Sequence, residues 1–317
     1  MLTAEPEFDV IVAARREIGS RISVLDLVAR DQDAPLRTGT PGDHVDVVVD
    51  DLVRQYSLTG APEPGRWRIA VLETADGRGG ARALRAAATL GAVLRLRGPR
   101  NHFGFAPADR LVFIAGGIGI TPILPMVFEA QRAGADWRLH YAAASRADMP
   151  FQEELAPYED RITRYPGDES RRLPLAELLD AATPGTAVYC CGPERMLDAA
   201  EQHARAQSDY TLHLERFEPR TDTGMHENHA FDVELADRGT TYRIEPEQSI
   251  LEVLNAAGEP VFYSCSEGTC GTCETRVISG IPDHRDSVLT DEEHESNELM
   301  MICVSRCVGD RIVLQLG

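Results

Sequence analysis

The sequence predicts a multidomain protein with an antiparallel β-barrel, an α/β domain built on a parallel sheet, and an α+β domain of the β-grasp type. Two observations predict it. The 317 residues are enough for two or three domains of about 100–150 residues each. The pattern also changes along the chain: short alternating segments come first, strand–glycine–helix units follow, and a cysteine-rich loop comes last. We therefore predict domains at 1–106, 107–222 and 223–317.

The chain is strongly acidic, with 51 Asp and Glu against 32 basic residues, all of them Arg, and a net charge of −19. Residues 226–317 alone hold 18 acidic residues and 6 Arg, a charge of −12. This charge argues against a nucleic-acid partner, because phosphate is bound by basic surfaces. It permits a basic protein partner, and it also serves solubility.

Targeting and membrane segments are not predicted. The N-terminal stretch lacks the basic, apolar and small-residue regions of a signal peptide, so we expect a cytoplasmic protein. The stretch 111–128 is uncharged and long enough for a membrane span, but it contains three Gly and two Pro. A strand, a glycine turn and the start of a buried helix explain it better.

The first domain is predicted to be the barrel, because its short alternating segments are separated by turn residues. These segments read FDVIVAARREI, RISVLDLVAR, GDHVDVVV, RQYSLTG and RWRIAVLET. Two stretches of this domain contain residues that could bind a cofactor. RQYS, at 54–57, offers an Arg for a phosphate, an aromatic ring for stacking and a hydroxyl group. GRGGARAL, at 77–84, offers an Arg and a flexible backbone that leads into a helix, although an exposed turn would look the same.

The second domain begins with an apolar run that ends in a glycine turn and continues as a helix, over 109–134. Backbone N–H groups at such a helix start can bind a pyrophosphate. The turn is not G-x-G-x-x-G, so a tight strand-to-helix connection is the alternative. The candidate binding residues in this turn are Gly116, Gly117, Gly119, Thr121 and Pro122.

Two further strands strengthen that prediction. DWRLHYAAASR reads as a buried strand, and TAVYCCGPERM reads as a strand, a turn and a helix. Strands that are each followed by a helix form a parallel sheet, which binds ligands at its carboxyl edge. We expect Cys190 to be a buried strand residue. The predicted ligand contacts at these strand ends are Ser145, Arg146, Cys191, Gly192 and Pro193.

The cysteines of the third domain follow the spacing C-x4-C-x2-C and then, after 29 residues, a fourth cysteine. This is the plant-type [2Fe–2S] pattern, in which soft thiolates hold the irons. Zinc is the main alternative, but zinc sites prefer two close pairs of cysteines, and a cytoplasmic disulfide is less favoured still. The predicted ligands are Cys265, Cys270, Cys273 and Cys303, with Cys307 left over. Upstream, a helix is predicted to begin at Ser249 as N-cap.

Taken together, the motifs resemble the phthalate dioxygenase reductase and vanillate O-demethylase reductase family. RQYSL, GRGGA, PRNHF, AGGIGITP, YCCGPERM, HLERF, SILEVL, CSEGTCGTC, DHRDSVL and CVSR all look like motifs of that family, in its order and over essentially the whole chain. The resemblance implies a flavin barrel, a nicotinamide domain and a C-terminal ferredoxin domain, and we predict a linker at 218–230.

The resemblance also implies which residues bind the cofactors. It implies FMN, with its flavin near Arg54, Gln55, Tyr56 and Ser57 and its phosphate near Arg78, Gly79 and Gly80. Ala81 departs from the Ser that the family often has there. Phe217 is implied to stack on the flavin where nicotinamide must enter, although a core Phe would look the same. NADH is favoured over NADPH; Arg146 could bind a 2′-phosphate or stack on adenine.

The implied function is electron transfer from NADH through FMN and the [2Fe–2S] cluster to the terminal oxygenase of a Rieske-type aromatic hydroxylase or O-demethylase. No catalytic acid or base is nominated, because hydride transfer needs positioning and exclusion of water. An NADPH-dependent reductase of a cytochrome P450 is the alternative. From other classes, an iron–sulfur redox sensor and a flavoenzyme that reduces small molecules stay open. We expect a monomer that binds neither nucleic acid nor membranes.

Overall fold

The computed structural model describes residues 7–31, 33–49, 52–74, 79–206, 209–219 and 227–316. The chain divides into two compact units, of which one is Glu7–Arg216 and the other runs from Phe217 onward. The first unit holds both the barrel and the parallel sheet. The fold class predicted from the sequence is confirmed: an antiparallel barrel, a parallel α/β sheet and a small mixed sheet follow one another along the chain.

The barrel is a six-stranded antiparallel sheet in the order β4-β3-β6-β1-β2-β5. Just past the edge strand β4, the N–H of Thr59 donates to the carbonyl oxygen of Arg68 on β5 at 2.8 Å, which draws the two edges together. Helix α1 packs against β3, β4 and β5 and buries Leu84 in the barrel core. The elements are β1 (Phe8–Ile18), β2 (Ile22–Ala29), β3 (Asp43–Val49), β4 (Leu52–Ser57), β5 (Arg66–Leu72), α1 (Gly80–Ala87) and β6 (Val93–Asn101).

The second domain is a five-stranded parallel sheet in the order β11-β10-β7-β8-β9. Because all five strands run the same way, their carboxyl ends meet along one edge. The elements are β7 (Arg110–Gly116), α2 (Ile120–Ala133), β8 (Asp136–Ala143), α3 (Gln152–Leu155), β9 (Ile162–Pro166), α4 (Leu175–Asp180), β10 (Thr186–Cys191), α5 (Glu194–Ala206) and β11 (Tyr210–Glu215).

The uncharged stretch 111–128 forms β7, a glycine turn and the first part of α2, as predicted. Helix α2 ends at Gly134, whose φ of 72° gives the left-handed C-terminal conformation that favours glycine. Within the described ranges, we find no helix with the length and apolarity needed to cross a bilayer. Both Trp residues, Trp67 and Trp137, are buried in the unit Glu7–Arg216.

The second unit contains a five-stranded mixed sheet in the order β13-β12-β18-β14-β16 and a two-stranded ribbon of β15 and β17. Helix α6 begins at Ser249 with a reciprocal capping box to Glu252, which confirms the predicted N-cap. The elements are β12 (Phe231–Leu235), β13 (Thr240–Ile244), α6 (Ile250–Ala256), β14 (Glu274–Ser279), β15 (Pro282–Asp283), α7 (Asp291–Ser296), β16 (Leu299–Met301), β17 (Arg306–Cys307) and β18 (Arg311–Gln315). Much of the predicted linker, 220–226, lies outside the described residues.

Candidate functional site

The structure brings close together the four cysteines that the sequence spacing predicts as metal ligands. The thiol of Cys265 lies within hydrogen-bonding reach of the thiols of Cys270 and Cys303, and Cys303 also reaches Cys273. Three of the four are buried, and Cys265 is half-buried. Cys307 is separate: it lies on β17, and its thiol donates to the carbonyl oxygen of Arg311 at 3.4 Å. Cys303 is therefore the fourth member of the group.

The loop between the first three cysteines bends through backbone conformations that favour glycine. Gly268 and Gly271 have φ values of 72° and 70°. A Cβ on Gly268 would lie 2.6 Å from Val304, so a side chain there would push the loop off its neighbour. The turns aim backbone N–H groups at sulfur, from Glu267 to Cys265 at 3.3 Å and from Thr272 to Cys270 at 3.4 Å.

The crowding of the thiols changes their acidity. Contacts with Cys270 and Cys303 hold the pKa of Cys265 far below its usual range, and the same contacts raise the pKa values of Cys270 and Cys303. A bound cation would favour the thiolate forms of such crowded cysteines. Four soft thiols, largely buried and receiving backbone N–H groups, fit a [2Fe–2S] cluster.

A buried carboxylate braces this loop. Asp286 accepts hydrogen bonds from the backbone N–H groups of Val288 and Leu289 at 3.1 and 2.9 Å, and His294 lies 3.4 Å from it. Burial alone would raise the pKa of Asp286, but contacts with His284 and His294 and the hydrogen bond from the N–H of Leu289 outweigh that desolvation and hold the pKa well below its ordinary value. The next residue, Ser287, donates its N–H to the carbonyl oxygen of Gly268 at 2.8 Å, which ties the brace to the cysteine loop.

The predicted flavin residues lie where β4 meets the start of α1. A Cβ on Gly80 would fall 2.6 Å from Nε of Arg54, so a side chain there would displace the arginine from the start of the helix. Gly79 precedes the helix and has a φ of 86°. No side chain accepts a hydrogen bond from the free N–H groups at the start of the helix. An arginine beside a bare helix N-terminus fits a phosphate. Arg78 lies outside the described residues.

The rest of the RQYS motif is positioned by the pairing of β3 with β4. Tyr56 packs against the barrel core, and burial raises its pKa to about 12. Ser57 is buried. The side-chain nitrogen of Gln55 is buried without a hydrogen-bond partner among the described residues, and a flavin carbonyl would supply one. These observations fit FMN, and the assignment of single contacts stays a prediction.

The two glycine turns of the parallel sheet pack directly against each other. A Cβ on Gly119 would lie 2.2 Å from the carbonyl oxygen of Cys191, and one on Gly116 would lie 2.6 Å from Pro193. A Cβ on Gly192 would meet the Cα of Gly116 at 2.9 Å. The glycines therefore have a packing role, which the sequence left open as the alternative to binding.

The turn nevertheless leaves room for a ligand. Gly117 has a φ of 55°, and a Cβ there would meet nothing within 4 Å. By contrast, Thr121 donates to the carbonyl oxygen of Ile118 at 2.9 Å and is buried, as is Pro122. Cys191 is fully buried, and this burial is the main cause that raises its pKa. Thr121 and Pro122 shape the turn in this structure, and their contact with a cofactor remains a prediction.

One partly buried acid, with its Oε2 atom shielded from solvent, was missed from the sequence. Glu215, at the end of β11, pairs in register with Cys191 on β10. Burial raises the pKa of Glu215 to about 8, so it is mostly protonated at neutral pH. The HLERF motif drew attention to Phe217 instead, whose side chain is 42% exposed and belongs to the second unit. The only signal that could have predicted Glu215 as a site residue is its position at the carboxyl end of a strand.

The predicted residues at the end of β8 make polar contacts. The hydroxyl of Ser145 donates to Asp148 at 2.8 Å and caps a short 3₁₀ turn. Arg146 forms two hydrogen bonds with Glu169, at 2.6 and 3.0 Å. The structure thus brings Arg146 to the sheet edge as predicted, but with an acidic partner that the sequence did not suggest.

Comparisons with known proteins agree with this architecture. The 2Fe-2S iron-sulfur cluster binding domain family matches residues 233–308. The "Phenoxybenzoate dioxygenase subunit beta" of Ectopseudomonas oleovorans is 40% identical over 303 residues, which cover 92% of this chain and 93% of that protein. The chain superposes on an intact type IV self-sufficient cytochrome P450 monooxygenase with a TM-score of 0.90 and 40% identity, over 98% of this chain and 41% of the P450 chain. It spans about two fifths of that larger protein.

A third comparison covers both chains almost completely. Phthalate dioxygenase reductase, described as a modular structure for electron transfer from pyridine nucleotides to [2Fe–2S], matches with a TM-score of 0.69 and 33% identity. The match covers 98% of each chain. The order of barrel, parallel sheet and cysteine-bearing sheet is therefore shared over the full length. This chain belongs to the phthalate dioxygenase reductase and vanillate O-demethylase reductase family.

Proposed function

We propose that this chain is the reductase component of an oxygenase system, which takes a hydride from NADH and delivers single electrons to a terminal oxygenase. The observation that carries the proposal is the group of four thiols, in a chain whose other unit has a helix start without a side-chain cap and a parallel sheet edge that fit a phosphate and a dinucleotide. When bound, FMN and a [2Fe–2S] cluster supply the conversion of one two-electron donor into one-electron steps.

The residues of the chain act by binding and positioning. Arg54 and the N-terminus of α1 hold the FMN phosphate, and Tyr56 and Ser57 line the flavin. The glycine turn at Gly117 admits the dinucleotide. The buried carboxyl end of β10 limits the access of water there, which favours hydride transfer without a protein acid or base.

The acceptor is proposed to be a separate oxygenase protein. The relatives include dioxygenase subunits and reductases, which favours a Rieske-type oxygenase. A cytochrome P450 is the second candidate, because a closely similar structure forms part of a self-sufficient P450 chain. Either acceptor, the Rieske-type oxygenase or the P450, would carry a basic surface that docks on the acidic ferredoxin domain.

The direct test is the composition of the anaerobically purified protein. We expect one FMN, two irons and two acid-labile sulfides per chain, and bleaching of the flavin absorbance by NADH. Zinc in place of iron would contradict the proposal. Iron and sulfide without flavin would point instead to a redox sensor.

The acceptor is tested with purified oxygenases. Reduction of a Rieske oxygenase and of a P450 should be followed in parallel with NADH as donor. We expect the Rieske protein to be reduced faster. If only small molecules are reduced, and the Cys303→Ser variant reduces them as fast as the unmodified chain, the chain is a flavoenzyme of another kind.

A further inference from the structure

A cavity lies between the barrel and helix α2, within the unit Glu7–Arg216. Its volume is about 120 Å³. The lining comes from β2, β5, the loop before β3, the turn after β4, and the helices α2 and α3. Among the described residues, this lining shares no member with those predicted to bind FMN or the dinucleotide. The cavity is therefore a separate feature of the unit.

One part of the cavity wall is apolar. Its apolar residues include Leu58, Trp67, Pro125 and Phe128. The first three are buried. The indole N–H of Trp67 already donates to the carbonyl oxygen of Arg37 at 2.8 Å, so Trp67 offers a ligand only its ring. An engineered apolar cavity of about 150 Å³ holds one benzene molecule. The cavity here, whose rim at 61–63 is exposed, has room for about one aromatic ring.

Two polar atoms of the lining are buried without a partner. Thr59 is 5% exposed, and its hydroxyl has no hydrogen-bond partner in the part of the chain that the structure describes. The same holds for Oε2 of Glu154, whose Oε1 accepts from Arg16 at 2.8 Å. Both groups border Arg68, which accepts the N–H of Thr59 at 2.8 Å through its carbonyl oxygen and lies 3.7 Å from Oε1 of Glu154 through its guanidinium. Since buried polar atoms are rarely left unpaired, a molecule in the cavity would satisfy both.

The charges of the lining favour a neutral molecule over an anion. The carboxylates are those of Asp26, Glu63 and Glu154, against the guanidinium groups of Arg66 and Arg68. Both arginines are engaged: Asp26 accepts from Arg68 at 2.6 and 3.3 Å, and Arg66 lies 3.6 Å from Asp26 and 3.7 Å from Glu63. An anion would meet excess negative charge, whereas a neutral O–H group would donate a charge-assisted hydrogen bond to Glu154.

We propose that this cavity binds a small, neutral aromatic alcohol of one ring, of which phenol is the simplest. The ring packs against Trp67 and Phe128. The ligand hydroxyl group accepts a hydrogen bond from Thr59 and donates one to Oε2 of Glu154, because a hydroxyl group can do both. Binding involves no electron transfer, so the site does not depend on the proposed function.

The first test uses ligand-observed saturation-transfer NMR on the complete purified protein, with phenol as the probe. We expect saturable binding with a Kd on the order of 1 mM. Benzene, which lacks the hydroxyl group, should bind about fivefold more weakly. Benzoate, an anion at neutral pH, should not bind detectably. Phenol signals that rise without saturation, or benzoate binding as tight as that of phenol, would overturn the inference.

The same titration in saturating FMN separates the cavity from the flavin site. We expect the phenol affinity to stay unchanged, because the two sites share no residues. Displacement of phenol by FMN would assign the cavity to the flavin and refute a separate ligand site.

A variant tests the hydroxyl contact. Thr59→Val removes the hydroxyl group and nearly keeps the shape, so the phenol affinity should fall about fivefold while the benzene affinity does not fall. Thr211→Val on β11 is the matched control, since Thr211 is exposed and lies outside the lining. We expect no change in either affinity there. An unchanged phenol affinity in Thr59→Val, or an equal loss for phenol and benzene, contradicts the proposed contact.

Discussion

Cys303 and Cys307 lie close in sequence but have different surroundings. Cys303 belongs to the thiol group, whereas Cys307 donates to the carbonyl oxygen of Arg311. We expect Cys303→Ser to lose the iron and sulfide but keep FMN, since the flavin residues lie in the other unit. Cys307→Ser should keep both cofactors. Iron, sulfide and flavin analysis checks this, and equal iron loss in both variants would contradict the assigned ligand set.

Glu215 makes the stability of the first unit depend on pH, and the direction of this dependence follows from its pKa. Burial raises its pKa from 4.5 to about 8. The unfolded chain therefore releases this proton at a lower pH than the folded chain, so the contribution of Glu215 to stability falls as pH rises between about 4.5 and about 8. Because ionisation inside the protein is unfavourable, Glu215→Gln should remove that loss.

The measurement uses denaturant unfolding followed by tryptophan fluorescence, which reports on the first unit because it holds both Trp residues. From pH 6 to pH 9 the unmodified chain should lose about 2–3 kcal/mol relative to Glu215→Gln. Parallel profiles for the two proteins would show that Glu215 keeps an ordinary pKa.

At the scale of elements, the packing of the two glycine turns makes a steric prediction. A methyl group on Gly119 would overlap the carbonyl oxygen of Cys191, so Gly119→Ala should lower the free energy of unfolding by about 3 kcal/mol and weaken ADP-ribose binding. Gly104→Ala is the control, since a Cβ there would meet only Asn101 at 3.8 Å. Tryptophan-detected unfolding compares the two, and similar midpoints for both variants would refute the steric argument.

Helix α1 begins with Gly80 and Ala81, and the family resemblance implies a serine at the second of these positions. A hydroxyl group there would add one hydrogen bond to the FMN phosphate at a bare helix N-terminus. We expect Ala81→Ser to tighten FMN binding about fivefold. Ala86→Ser, in the last turn of the same helix, is the control. Fluorescence titration of FMN measures both, and equal affinities would place the phosphate elsewhere.

The elements most accurately predicted from sequence are those with local signals. Ser249 and Glu252 form a capping box within one turn, and the strand, glycine turn and helix of 109–134 follow in the predicted order. Glu169 was missed as the partner of Arg146 because 23 residues separate them, and only the packing of one strand exit on another brings them together. Glu215 was missed because its burial depends on neighbouring strands rather than on its own segment.

At the scale of the whole molecule, charge is distributed unevenly. Residues 226–317, which contain the thiol group, carry −12 of the net −19. If the acceptor docks there through a basic face, its reduction should slow several-fold as ionic strength rises from about 25 to about 500 mM, because the screening length falls from about 20 Å to about 4 Å. Stopped-flow reduction of the oxygenase tests this. A rate independent of salt would argue against electrostatic docking.

The contact between Gly116 and Gly192 also constrains how this sheet can evolve. The two turns come from segments about 75 residues apart in the chain, yet neither has space for a single added carbon without displacing the other. A bulkier residue in one turn is tolerable only if the opposite backbone retreats in the same lineage. We expect substitutions in the two segments to be correlated among descendants of this chain, because a change of shape in one turn requires a compensating change in the other.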